Sequence, residues 1–208
     1  MACCEPELKE SAPPSYRRAL VGVLLINLLM FVVEISVGWL SGSRALRADA
    51  LDFLGDTATY GLTLWALGQS QAWRLRAARI KGGSLLVMGL LVLADSVRAV
   101  LGDAVPPGPL ISGIGALALV ANLTSLGLLV RYRHGDANIR SVWLCSRNDA
   151  VANLAVIAAG ALVLVSGSRW PDVLVAFAIA GLFTHSAVAI LRQARREQPA
   201  TSSCCGGQ

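Results

Sequence analysis

Asp49, Asp52 and Asp56 follow one another at i, i+3, i+7 inside a stretch that is otherwise apolar enough to cross a bilayer. That spacing lines all three carboxyls along one face of a helix. An unpaired carboxylate at such depth costs on the order of a few kcal/mol or more, so three on one stripe require a cation. A second cluster comes later in the chain, where Cys145 and Asp149 form an i, i+4 pair flanked by Asn148 and Asn153. Two such pairs on antiparallel helices, Asp52 with Asp56 and Cys145 with Asp149, would offer three carboxylates and one thiol to a single point. Four ligands of this kind suit tetrahedral Zn²⁺ better than octahedral, water-retaining Mg²⁺. The residues do not rank Zn²⁺ against Cd²⁺, Co²⁺, Fe²⁺ or Mn²⁺, because most sites share one order of affinity and select by geometry.

The elements that must position these groups are membrane helices. Of the 208 residues, 55% are hydrophobic, and a mean hydropathy of +0.60 is too high for a soluble domain of this size. At about 20 apolar residues per crossing, six segments fit: Ala19–Leu40, Ala45–Gln69, Ile80–Leu101, Leu110–Val130, Ile139–Val165 and Pro171–Leu191. The expected fold is therefore all-α, a polytopic membrane protein with six transmembrane helices. Lys9, Arg17, Arg18, Arg74, Arg76, Arg79, Lys81, Arg131, Arg133, Arg140, Arg192, Arg195 and Arg196 all fall at one end of these spans, against Arg44, Arg47 and Arg169 at the other. The positive-inside rule then puts both termini in the cytoplasm. The net charge of +5 follows from that topology and gives no reason to expect nucleic-acid binding. The first span follows a polar tail and runs straight into a second, which argues against a cleaved signal peptide. The expected divisions are a disordered cytoplasmic tail over residues 1–18, a six-helix domain over 19–191, and a basic, then Cys/Gly-rich cytoplasmic tail over 192–208, with no soluble domain after the last span.

Several residues together resemble the cation diffusion facilitators, proton-coupled exporters of divalent transition metals. These are Asn27, Glu34 and Gly38 in the first span, the run from Ser43 through Asp49, Asp52 and Asp56 in the second, and Asn138, Ser141, Leu144, Cys145 and Asp149 in the fifth. The second-span run is similar to that family's Asp-x-x-[His/Asp]-x-x-x-Asp, and the fifth-span pair to its His/Asp-x-x-x-Asp. Asn122 and Trp170-Pro171-Asp172 also fall where the family tends to carry Asn and Asp. The resemblance covers roughly the whole membrane portion. It implies Asp52, Asp56 and Asp149 as metal ligands, position 145 as the fourth, protons as counter-ions, and a homodimer. Cys145 departs from the family's His or Asp, and a thiol releases its proton more reluctantly than an imidazole. An oxygen of Asn148 or Asn153, or a water, is the alternative fourth ligand. The family's cytoplasmic C-terminal domain is absent from these 208 residues, and the loop before the fifth span holds one histidine, His134.

The remaining polar groups have structural readings beside functional ones. Asp49, Asn148, Asn153 and His185 are candidates to flank the metal or pass protons, His185 because imidazole titrates near neutral pH. Asp95 is expected to pair with Arg98 one turn on or with Arg147 across helices, Glu34 to be held in a similar way, and Asp172 to cap the sixth helix. The tail pairs Cys3-Cys4 and Cys204-Cys205 suit soft-metal capture, with lipidation as the alternative. The sequence thus points to export of a divalent cation, Zn²⁺ foremost, across the cytoplasmic membrane, in composition that of a bacterial inner membrane. A metal-binding membrane regulator that does not transport is the alternative. An organic-cation exporter is disfavoured by an aromatic content of 6%. No nucleophile–base pair or cofactor loop suggests an enzyme, and the expected associates are metal ions, protons and lipid, with no prosthetic group.

Overall fold

The computed structural model describes residues 14–66, 71–101, 104–132 and 137–196. Six long helices fill them: α1 (Pro14–Ser41), α2 (Arg44–Ala66), α3 (Gln71–Val100), α4 (Gly108–Leu129), α5 (Ala137–Ser166) and α6 (Trp170–Arg196). A 3₁₀ turn at Val130–Tyr132 extends α4. The helix boundaries follow local chemistry. Gly42 (φ 74°) and Gly167 (φ 61°) take the left-handed conformation that reverses the chain after α1 and α5. Pro107 precedes α4, and Pro109 stands in its first turn, where its missing N–H leaves no intrahelical bond unmade.

Five helices are long and apolar enough to cross a membrane: α1, Gly82–Val100 of α3, α4, Asp149–Ser166 of α5 and Trp170–Arg192 of α6. The second expected span is the exception. α2 has the length, 23 residues, but Arg44, Arg47, Asp49, Asp52 and Asp56 deprive it of a sufficiently apolar window. The bundle shelters it instead. The broadest contacts pair α1 with α2, α3 with α6 and α4 with α5, and α2 also touches α3, α4, α5 and α6, so it meets every other helix. The protein is accordingly an all-α polytopic membrane protein with its polar groups turned inward. Leu25, Leu29 and Leu40 of α1, Leu91 of α3, Leu164 and Val165 of α5 and Leu174 of α6 point outward, whereas Asn27, Glu34, Arg47, Asp49, Ser96, Asn122, Asn153 and Asp172 are buried.

The start of α2 is fastened to three neighbours. Ser43 caps it, its Oγ accepting from Leu46 N–H at 3.1 Å. Asp172, at the start of α6, accepts from Ser43 Oγ at 2.5 Å, Arg44 N–H at 2.7 Å and Ala45 N–H at 3.2 Å. Asp172 therefore caps α2 across the bundle, where the sequence suggested a cap for its own helix. The free N–H groups and positive dipole end of α2 attract a carboxylate equally well from another chain segment. Asp95 of α3 likewise turns to α2, lying 3.2 Å from Arg47 and 3.8 Å from Arg44 instead of pairing with Arg98. Arg47 also stacks over the Trp39 ring at 4.5 Å and donates from Nε to Ser43 O at 3.2 Å.

α4 and α5 meet where both lack a side chain. A Cβ at Gly108 would lie 2.5 Å from Gly160 O and 2.7 Å from Leu164 N, and one at Gly160 would lie 2.6 Å from Ser112 N. Ser112 Oγ uses this proximity to donate to Ile157 O at 3.0 Å. Such close approach is how helices associate where lipid removes the hydrophobic drive. Gly160→Val is expected to lower unfolding stability in detergent by about 1–3 kcal/mol, since backbone atoms cannot step aside. Gly113→Val, at a position open to the exterior, should leave the denaturation midpoint unchanged; equal midpoints for both variants would refute the close-packing account.

Candidate metal centre

A chain of amide and carboxyl groups crosses the middle of the bundle. Asn122 of α4 donates from Nδ2 to Asn153 Oδ1 of α5 at 2.8 Å. Asn153 in turn donates from its own Nδ2 to Asp49 Oδ2 of α2 at 2.8 Å. All three are buried, at 3%, 0% and 2% exposure, so these bonds have no water to compete with them. Asp49 next faces Glu34 of α1, which is completely buried. Four helices thus contribute one polar side chain each to one line.

This bridge sets the register of α2 against α5. The two helices run antiparallel, and Asp49 is bonded to Asn153. Counting along both axes at about 1.5 Å per residue, Asp52 lies about 4.5 Å and Asp149 about 6 Å from the bridge in the same direction. Asp56 and Cys145 come at about 10.5 and 12 Å by the same count. The four residues singled out from the sequence therefore fall at two matched levels on two touching helices. Asp52, Asp56 and Asp149 are half-buried, and Asp56 Oδ2 accepts from the buried Tyr60 hydroxyl at 2.7 Å. That bond fixes one Asp56 oxygen in place.

Not every candidate converges. Among the described residues, no three His, Cys, Asp or Glu side chains lie close enough together to hold one metal ion. The side chains of Cys145 and Asn148, and the tail residues Cys3, Cys4, Cys204 and Cys205, lie outside the described residues. Asn153 accepts from Asn122 with its oxygen and donates to Asp49 with its amide, so it acts as a positioning group for the Asp49 end of the stripe. His185 is exposed on α6, lining a groove of about 530 Å³ with Leu93 and Arg192, away from the aspartate stripe. The Asn122–Asn153–Asp49 chain itself was missed in the sequence. Its only signal there is that each of these helices carries an amide or carboxyl within an apolar run, which does not say which of them meet.

Comparison with known proteins places these features in context. A family model described as the cation efflux transmembrane domain matches residues 20–197. The chain is 28% identical over 182 residues to the zinc transporter ZitB of Escherichia coli (strain K12), covering 80% of this chain and 57% of that protein. It is 26% identical over 194 residues to ZitB of Yersinia pestis, covering 87% and 62%. To the cadmium, cobalt and zinc/H(+)-K(+) antiporter of Bacillus subtilis (strain 168) it is 27% identical over 187 residues, covering 79% and 58%. The chain spans roughly three fifths of the length of these relatives.

Removing the centre of the bridge should be costly out of proportion to its size. Asn153→Ala strands the Asn122 amide and one Asp49 oxygen, and is expected to destabilise the protein by about 1–2 kcal/mol in detergent unfolding. Ser36→Ala, whose hydroxyl only bonds back to Val32 O at an exposed position, is the control and should shift nothing.

Proposed function

The chain belongs to the cation efflux family, the cation diffusion facilitators, and from that premise we propose that it exports a divalent transition-metal ion, Zn²⁺ first, in exchange for protons. The observation that supports this reading is the Asp49–Asn153 bond, since a count of residues from it gives Asp52 and Asp149 similar heights along α2 and α5, and likewise Asp56 and position 145. The printed names of the relatives, zinc transporters and a cadmium, cobalt and zinc antiporter, support the same class of cargo.

In this mechanism Asp52, Asp56 and Asp149 bind the ion when ionised and release it when protonated, so metal and protons compete for the same oxygens. Cys145 supplies the fourth position; its thiolate favours the softer, borderline ions over Mg²⁺ or Ca²⁺. A rocking of helices that opens the site first to the cytoplasm and then to the outside turns that competition into exchange. The orientation has both ends of the chain in the cytoplasm of a bacterial cell, across its inner membrane. The ion pairs of Arg44 and Arg47 with Asp95 support it, because that carboxylate offsets one of the few positive charges at the outer end. The working unit is a homodimer held through membrane helices.

The decisive measurement is Zn²⁺ uptake into inside-out vesicles under an imposed pH gradient. Uptake is expected with the wild-type chain and is expected to vanish in Asp52→Asn and in Asp149→Asn. Zinc binding without uptake would favour a non-transporting metal-binding regulator. Uptake undiminished in either variant would reject the proposed site.

A further inference from the structure

We propose that Glu34 and Asp49 together hold one exchangeable proton, at a site separate from the metal ligands. Its role in exchange rests on the export reading above; its chemistry does not. Glu34 is 0% exposed, in the last third of α1. Neither of its oxygens has a hydrogen-bond partner. The ionisable groups facing it are Asp49, against it, and Asp52 within electrostatic range, both on α2. The other helix packed broadly on α1 is α4, which contains no ionisable side chain at all. The cation nearest in sequence to Asp49, Arg47, is engaged by Asp95 and Trp39.

Among the described residues, two ionised carboxylates in this position would have no donor between them and no counter-charge, an arrangement that burial does not tolerate. One proton resolves both faults. It turns one carboxyl into a donor for the other, as in carboxyl pairs that share a proton because like charges at contact cannot both ionise. Asp49 keeps Oδ2 on the Asn153 amide throughout, so the pair is tied to α5 and, through Asn122, to α4.

The step is a simple dissociation. The Glu34–Asp49 carboxyl O–H bond breaks, both groups become carboxylates, and the proton leaves to water. Dissociation adds one negative charge to the pair, and a divalent cation close by, at Asp52 one turn along α2, lowers the cost of that added charge. Arrival of the metal therefore expels this proton, and loss of the metal recovers it, in addition to any protons displaced from the ligands themselves. Glu34 is a positioning and proton-holding residue here and touches no metal.

Infrared difference spectroscopy of the full chain in lipid, with and without Zn²⁺, reads the pair directly. The metal-free wild type should show a protonated-carboxyl C=O band that disappears on adding Zn²⁺. Glu34→Gln should abolish the band, reduce proton release on zinc binding by about one per site, and lower the slope of log zinc affinity against pH by about one around neutral pH, as linkage requires of a proton that the metal expels. Glu34→Asp should restore the band. Asp49→Asn keeps the acceptor for Asn153 and should make any remaining band insensitive to zinc, which provides a second test if Glu34→Gln folds poorly. A band absent from the wild type, or a band and proton count unaffected by Glu34→Gln, overturns the proposal. Zinc uptake with a band indifferent to Glu34→Gln leaves export standing without the pair. A band that responds as described in vesicles that take up no zinc leaves the pair and removes export.

Discussion

Every distinctive feature of this bundle follows from the need to keep one charged helix inside a bilayer. α2 carries three aspartates and two arginines over its first four turns, and none of them can face lipid without a large cost. The solution is positional. α2 touches all five other helices, and the large hydrophobic side chains that point outward come almost entirely from those five. Its two arginines share the one Asp95 carboxylate, and the N–H groups of its first turn bond to Asp172. The bundle is thus apolar outside and acidic at its centre, the inverse of a soluble protein and a natural receptacle for a positive ion.

The packing serves that arrangement. Because α4 and α5 press together at Gly108 and Gly160, they act as one slab, and Asn122 and Asn153 reach each other across it. That slab then presents Asn153 to α2. A looser α4–α5 contact would leave the amides to find other partners and would free α5 to slide along α2, and a slide of one turn shifts Asp149 by about 5.4 Å relative to Asp52. The register of α5 against the aspartate stripe of α2 depends in this way on glycines far from that stripe.

Much of this was legible in the chain itself. Composition and the spacing of apolar runs give the helix number, and the i, i+3, i+7 aspartates and the Cys145–Asp149 pair mark two of the helices that matter. What the residues do not disclose is choice of partner. Asp172 caps α2 instead of α6, Asp95 binds Arg47 instead of its neighbour Arg98, and Asn153 spends both ends of its amide on other helices. Each of these depends on how far one helix is shifted along another, and that offset is set by side-chain packing across the whole interface. Spacing within a single helix contains no record of it. Local rules therefore located the polar residues correctly and misassigned several of their contacts.

The three fastenings at the start of α2 have a mechanical consequence. With Ser43 and Arg44 tied to Asp172, and Arg47 wedged between Trp39 and Asp95, that end behaves as a hinge pin and the rest of the helix as the arm of a pendulum. At about 1.5 Å per residue, Asp49 hangs about 7 Å from Arg44 and Asp56 about 18 Å. A swing of about ten degrees would displace Asp49 by little over 1 Å and Asp56 by about 3 Å on that count. The first displacement is less than half of the second, so such a swing would carry the Asp56 carboxylate much farther than the Asp49 end that is held to Asn153.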